Sequence, residues 1–452
     1  MRTEWLSRFL AMFLLVFSLT LLGQSGQAQE VLWTSPYGGY DVATDSAENV
    51  LLTGGKLSPD GDSLWMRSLS GLTAWGVAAD PWGNVIVSGY IYTDTASLED
   101  YCTVKYSPTG DTIWTRTFDS GDWDEAHGVA TDPWGNVIVT GYTWGYEPCG
   151  DYLTIKYDPE GNMLWQRVYN WEWEDFAHDV AVDGEGNVIV TGQSDNNINW
   201  DWCTVKYGPD GDTLWIRRVD VGIDDFPYGV ATDPWDNVIV VGQVHLGGVQ
   251  NEAFVMKYNP DGDTLWAKLY YDIGRFHDVA TDTSGNVILK SRLKLIKCKP
   301  NGDTLWAIST PGYGGSVTTD LSGNIIVTNR SGTTKYKGYN GVEEAGDYYF
   351  PKVFSLSQNY PNPFNSNTAI SYRLSVVSGQ QSAVSLKIYN ILGEEVITLV
   401  DRIQDTERYR VVWDGKDSGG REVGSGVYFY QLKVDTQKGG AYQKTRKLVL
   451  LR

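Results

Sequence analysis

The chain predicts an all-β protein: a seven-bladed β-propeller closed by its own N-terminal strand, followed by a C-terminal Ig-like β-sandwich. Three observations carry this. A turn headed by Asp recurs at Asp45, Asp80, Asp132, Asp183, Asp233, Asp282 and Asp320. A strand carrying Trp follows six of those turns, at Trp65, Trp114, Trp165, Trp215, Trp266 and Trp306. The seventh Trp strand stands at the other end, as Val31-Leu32-Trp33-Thr34.

One unit shows why each repeat is four strands. It runs Gly128-Val-Ala-Thr-Asp-Pro-Trp-Gly-Asn-Val-Ile-Val-Thr-Gly141, then Tyr152-Leu-Thr-Ile-Lys-Tyr-Asp-Pro-Glu-Gly-Asn-Met-Leu-Trp165. Short β-branched runs alternate with turn chemistry, Pro fixing φ and Gly supplying the positive φ of a tight hairpin. Units of about 50 residues inside the array, and nearer 35 to 40 at its ends, fall in the range of propeller blades. Such a unit cannot bury both faces alone, so neighbours pack around an axis. The last unit stops at Lys335-Tyr336-Lys337 without a Trp strand, and the strand of Trp33 supplies it, leaving no unpaired edge. The Asp residues are expected to serve their turns by Asx hydrogen bonding. The Pro-Trp tips at Trp82, Trp134 and Trp235 are expected to fold back over the hairpins, contact with a partner or a membrane being the alternative.

The repeat motif, Gly-Val-Ala-Thr-Asp-x-x-Gly-Asn-Val-Ile-Val-Thr-Gly with Lys-Tyr-x-Pro-x-Gly-Asp-Thr-Leu-Trp, resembles the bacterial SBBP repeats over roughly residues 31 to 340. The resemblance implies the propeller fold and no single activity.

The flanks define the remaining parts. Arg2 and Arg8 flank the start of an apolar run from Phe9 to Leu22, and Gly26-Gln27-Ala28 offers small residues where a signal peptidase reads. Residues 1–28 therefore read as a signal peptide, and no other stretch is long enough to span a membrane. The propeller is assigned to 29–340, a polar linker to 341–352 and the sandwich to 353–452. The sandwich opens with Tyr360-Pro-Asn-Pro-Phe-Asn365 and continues through Val384-Ser-Leu-Lys-Ile-Tyr-Asn-Ile-Leu-Gly393 and Val427-Tyr-Phe-Tyr-Gln-Leu432, alternating apolar and polar residues between Gly-rich turns. This segment resembles the C-terminal sorting domain of type IX secretion substrates, related to FlgD-like Ig modules. The resemblance implies the type IX secretion machinery as partner and a secreted or outer-surface location.

A net charge of −20 argues against nucleic acid, which needs clustered Lys and Arg. Cys102, Cys149, Cys203 and Cys298 form no CxxC pair, so zinc-ribbon, redox and c-type haem readings lack support. A disulfide through Cys149 and free, partly buried thiols are both open.

Strand direction places the A–B and C–D turns on one face and the longer, variable B–C and D–A loops on the other, where function usually sits. The long B–C loops, 90–100, 142–151, 193–201 and 243–252, belong to blades two to five, so a site should be lopsided toward them. Just before strand A stand Tyr40, Trp75, His127, His178, Tyr228, His277 and Gly315. Three residues upstream in blades three to five are Asp124, Asp175 and Asp225, beside Glu125, Glu174 and Asp224. Trp144, Tyr146, Trp173, Trp200 and Trp202 add aromatic surface. Aromatic faces beside carboxylates suit a sugar, or alternatively a calcium ion; no other cofactor is implied. The bland alternatives are that the ring fills the channel mouth, and that the aspartates accept backbone N–H bonds.

Three functions compete. A non-catalytic module binding a glycan, protein or cation stands first, because no unit carries an outlying residue of the kind an active site would need. A hydrolase or lyase using carboxylates at the mouth stands second. A quinone-dependent dehydrogenase stands last: Gly-Asp-Thr-Leu-Trp resembles that family's tryptophan-docking motif, but its propellers usually have eight blades and often a vicinal Cys pair.

Overall fold

In the computed structural model the described residues are 30–451 apart from 68–69, 93–97, 145–148, 172, 248–250, 311–314, 339–354, 357–358, 360–361, 375–381, 406–407 and 437–440. The signal peptide and the linker expected at 341–352 lie outside them. Every helix or strand among the described residues is a β-strand. Seven four-stranded antiparallel sheets account for residues 31 to 336, and two further sheets for the C-terminal part.

Blade three shows the build. Its strands A to D are Asp124–Thr131, Val137–Thr143, Asp151–Tyr157 and Met163–Tyr169. Strands B and C are buried along almost their whole length because neighbouring blades cover both faces, which is why they read as unbroken apolar runs. Strand D alternates, with Met163 and Leu164 exposed and Trp165 buried. The same order of burial recurs in the other long blades.

Each A–B turn is tied by its Asp as expected: Asp132 Oδ1 accepts the N–H groups of Trp134 and Asn136, and Oδ2 accepts Asn136 Nδ2. The structure adds a partner. The Lys of strand C reaches the same carboxylate in all seven blades, at 2.7 to 3.0 Å and almost wholly buried. In five blades that ammonium also donates to the C–D turn Pro carbonyl of the next blade, as Lys105 does to Pro159 and Lys206 to Pro260. The strand D Trp donates its indole N–H to that same carbonyl: Trp114 to Pro159 at 3.0 Å, Trp215 to Pro260 at 3.0 Å. Its ring lies against the positive-φ Gly of that turn, where a Cβ on Gly161 would meet Trp114 at 3.0 Å. So Lys and Trp together tie one blade to the next at five of the seven junctions.

The ring closes by the same device. Val31–Ser35 pairs antiparallel with Gly332–Tyr336, with Thr34 opposite Thr334. Trp33 from the N-terminus and Lys335 from blade seven both donate to Pro59 O of blade one, at 2.8 and 3.2 Å. On that face the tips of Trp82, Trp134 and Trp235 fold over the next blade's hairpin, against Gly135, Gly186 and Gly285. The four cysteines are thiols, with Cys102, Cys203 and Cys298 buried in separate blades.

The C-terminal part is a β-sandwich. Ser355–Leu356, Thr368–Arg373 and Arg408–Trp413 form one sheet; Glu395–Gln404, Ser382–Tyr389, Gly426–Thr436 and Ala441–Leu450 form the other. Trp413, Leu386, Ile388, Tyr430 and Leu448 fill the space between them. The Asn-Pro-Phe motif fastens the opening segment to the last strand. Asn362 Oδ1 accepts Val449 N–H at 2.8 Å, and Phe364 packs on Trp413.

Candidate functional site

The residues singled out before strand A share a structural cause. In blades two to six strand A skips one residue in its pairing, between Ala74 and Gly76, Ala126 and Gly128, Ala177 and Asp179, Pro227 and Gly229, and Phe276 and Asp278. The skipped residues are Trp75, His127, His178, Tyr228 and His277. A bulge of this kind re-aims one side chain, and here it turns each toward the propeller axis. With Tyr40 they form a continuous arc of touching rings. Centroids are 4.5 Å apart for Tyr40–Trp75, 5.9 Å for Trp75–His127, 5.7 Å for His127–His178, 5.6 Å for His178–Tyr228 and 6.4 Å for Tyr228–His277. All six line one cavity of about 920 Å³ at the channel mouth, and Gly315 lines it in blade seven.

Below the arc lies a floor that repeat-by-repeat reading missed. Asp41, Asp179 and Asp278 also line the cavity. Each carboxylate accepts a backbone N–H from its own strand and one from the next blade: Asp41 from Val42 and Val77, Asp179 from Val180 and Val230, Asp278 from Val279 and Val317. In blades two, three and five Gly76, Gly128 and Gly229 take the same place, so no periodic signal marks it. Ser316 Oγ touches both Asp41 and Asp278, at 2.7 and 2.5 Å. One hydroxyl hydrogen serves two carboxylates there, and a proton on one of them completes the pair. Burial, reinforced by the charge of Asp41, raises Asp278 to about 7.

The histidines move the other way. Burial holds His127, His178 and His277 near pKa 4, so all three are neutral at pH 7. His178 Nε2 bonds Gln193 Oε1 at 3.0 Å. The two sets have opposite pH signatures. Depressed histidines contribute stability present above pH 6.5 that is lost as pH falls toward 4. Raised Asp278 contributes stability present below pH 3.8 that is lost as pH rises through about 7. The Asp278→Asn variant should therefore gain in Tm relative to the parent between pH 5 and pH 8, whatever constant cost the amide brings. Melting curves at both pH values check this; a difference that does not change with pH refutes it.

Above the arc, on blades three to five, a second run of rings forms a shelf. Tyr142 meets Phe176 at 4.8 Å, Phe176 stacks on Trp200 at 5.6 Å and 27°, and Trp200 meets Phe226 at 6.4 Å. Trp144 joins at Phe176, and His127 links the shelf to the arc through Tyr142 at 5.6 Å. Trp173 is exposed. Trp202 is not: it is 1% exposed, with its indole N–H on Gln243 O, because its strand position faces the neighbouring blade. Tyr146 lies outside the described residues.

Asp124, Asp175 and Asp225 are placed differently from the rings. All three are fully buried, and none lines the cavity. Asp124 accepts Ser120 N–H, Asp175 accepts Trp171 N–H, and Asp225 accepts Val221 and Gly222 N–H, at 2.6 to 3.1 Å. They tie the D–A connection from inside, since strand A turns their side chains away from the axis. Two of them also belong to acidic trios at blade junctions, Asp100–Asp119–Asp124 and Asp201–Asp220–Asp225. In each trio the ligand oxygens lie within 4.8 Å of one another, a spacing that suits a hard cation.

Comparison with known proteins bears on the sandwich. Residues 358–450 match the family described as secretion system C-terminal sorting domain. The chain is exported. This sorting domain directs it by type IX secretion to the cell surface or the medium, and no helix among the described residues is long and apolar enough to cross a membrane. A WD repeat-containing protein of Acanthamoeba polyphaga mimivirus, itself uncharacterized, is 30% identical over 126 residues; the match covers 24% of this chain and 8% of that protein. Among solved structures, the WD40 domain of Neurospora crassa Pan2 is 10% identical, with a TM-score of 0.45 over 68% of this chain and 90% of that one. An α-L-arabinanase of Penicillium chrysogenum is 11% identical, with a TM-score of 0.44 over 61% and 96%. A protein of unknown function from Bacteroides caccae is 14% identical, with a TM-score of 0.40 over 60% and 92%.

Proposed function

We propose that the chain is a non-catalytic glycan-binding propeller, started on its way by the signal at 1–28, built from SBBP-type repeats and displayed or released through its sorting domain. The observation that carries this is the shelf Tyr142–Phe176–Trp200–Phe226, joined through Tyr142 to His127 of the mouth cavity. Rings of this size present flat apolar faces with a few polar handles, which suits the C–H faces and hydroxyls of a sugar chain. The neutral histidines supply donors and acceptors without charge. The non-catalytic reading is supported by the carboxylates. Asp124, Asp175 and Asp225 face away from the cavity, and each floor carboxylate is committed to two backbone N–H groups.

A glycan array with and without calcium, run alongside a product assay, tests the proposal. Binding without release of new reducing ends is the expected result. Trp200→Ala should weaken the best glycan at least about tenfold, equal to about 1.4 kcal/mol, with little change in Tm. Turnover of the bound glycan, or an unchanged affinity in Trp200→Ala, would overturn it.

A further inference from the structure

The blades with clipped loops build the other side of the mouth, and they build it cationic. Arg275 stands next to the start of strand A in blade six, Phe276–Thr281. Arg292 sits in the tight turn between Val287–Ser291 and Lys294–Cys298, and Arg330 in the turn between Ile325–Asn329 and Gly332–Tyr336. All three are exposed and all three line the cavity. In a chain of net charge −20, three guanidinium groups gather on one rim, above the floor of Asp41, Asp179 and Asp278.

Two of them are preorganised by the aromatic arc. Arg275 lies over the ring of Tyr228 with its Cζ 4.6 Å from the centroid, and its Nη1 donates to the Tyr228 hydroxyl at 2.9 Å. Arg330 lies over Tyr40 at 4.5 Å. Among the described residues neither forms a salt bridge, and stacking fixes the plane of each guanidinium. A planar fork held in this way is matched to a carboxylate or a sulfate ester, which it binds through paired charge-assisted hydrogen bonds.

We infer that the mouth takes an acidic oligosaccharide, its sugar faces on the shelf of blades three to five and its anionic groups on Arg275, Arg292 and Arg330. This rests on the glycan reading and narrows it: a neutral sugar would use the shelf and leave the guanidinium rim idle. The anion is a uronate carboxylate or a sulfate ester, which present the same chemistry to the rim.

Calorimetry with the full chain tests it, using an oligogalacturonate, its methyl ester and a sulfated galactan oligosaccharide. At least one acidic probe should bind at least about tenfold more tightly than the ester, and only acidic binding should weaken between about 50 and about 300 mM NaCl. Whichever of the two acidic probes binds more tightly identifies the anion. The double variant Arg275→Gln with Arg330→Gln should lose that preference and keep the ester affinity, with Tm unchanged because both side chains are exposed. Equal affinity for acid and ester, or a double variant that retains the preference, overturns the acidic assignment. If Trp200→Ala still weakens binding in that case, the glycan reading stands alone. No saccharide bound by the parent chain would sink both.

Discussion

Deletion of residues 30–35 should open the propeller, with a larger loss of Tm than any single substitution in a blade. The deletion removes the outer strand of blade seven and with it Trp33, whose indole reaches Pro59 O in blade one. Trp33→Ala alone is expected to cost about 3 kcal/mol, which for a domain of this size lowers Tm by roughly 5 °C. The full deletion goes further, because it also strips the backbone partners of Gly332–Tyr336 and leaves a bare edge that favours aggregation. A synthetic peptide of residues 30–37 added in trans should restore part of the loss by re-adding the strand. Thermal melts with and without the peptide decide the matter. An unchanged Tm after deletion would show that the closing strand contributes nothing.

The second large effect concerns the buried lysines. Lys206→Met should destabilise the propeller by about 3–5 kcal/mol, because it takes from buried Asp183 its ion-pair partner. The pair is 2.8 Å apart and both side chains are almost wholly inaccessible. Adding Asp183→Asn to Lys206→Met should recover a good part of that loss. The amide still accepts from the turn N–H groups of Glu185 and Asn187, and the uncompensated charge is gone. Denaturant titrations of parent, single and double variants give the three free energies. A double variant no more stable than the single one would locate the cost in lost packing and not in the stranded carboxylate.

Most of the propeller was legible because repetition averages out the accidents of single segments. Seven Asp-headed turns, six internal Trp strands and the leftover Trp33 fixed the blade number and the closure, and every one of those residues lies where the repeat put it. The lysine was written in the same motif, one residue before Tyr in most strands C, yet a strand Lys ordinarily signals a solvent-facing position. Seven lysines matched to seven turn aspartates were the available signal. The mouth was half legible. The ring positions recur, and the bulge that turns them inward is what makes them equivalent. Asp41, Asp179 and Asp278 share a position with glycines, so the repeat hid them. Arg292 and Arg330 sit in turns too short to look functional, though a short turn is what keeps them close to the mouth. Asp124, Asp175 and Asp225 recur for the opposite reason: a position that must tie a loop repeats as faithfully as one that binds a ligand.

The pairing of Val31 with Tyr336 also fixes an order of events. The first strand to emerge from any directional export or synthesis must wait, without its hydrogen-bonding partner, until the last blade has arrived. Blades one to six can each form from contacts local in sequence, whereas the seam needs two segments separated by the whole array and so bears the largest loop-closure entropy. Until then the propeller is an open arc with two sticky ends. The sorting domain follows the seam in the chain, so a molecule whose sorting domain is complete has already delivered everything the ring needs to lock.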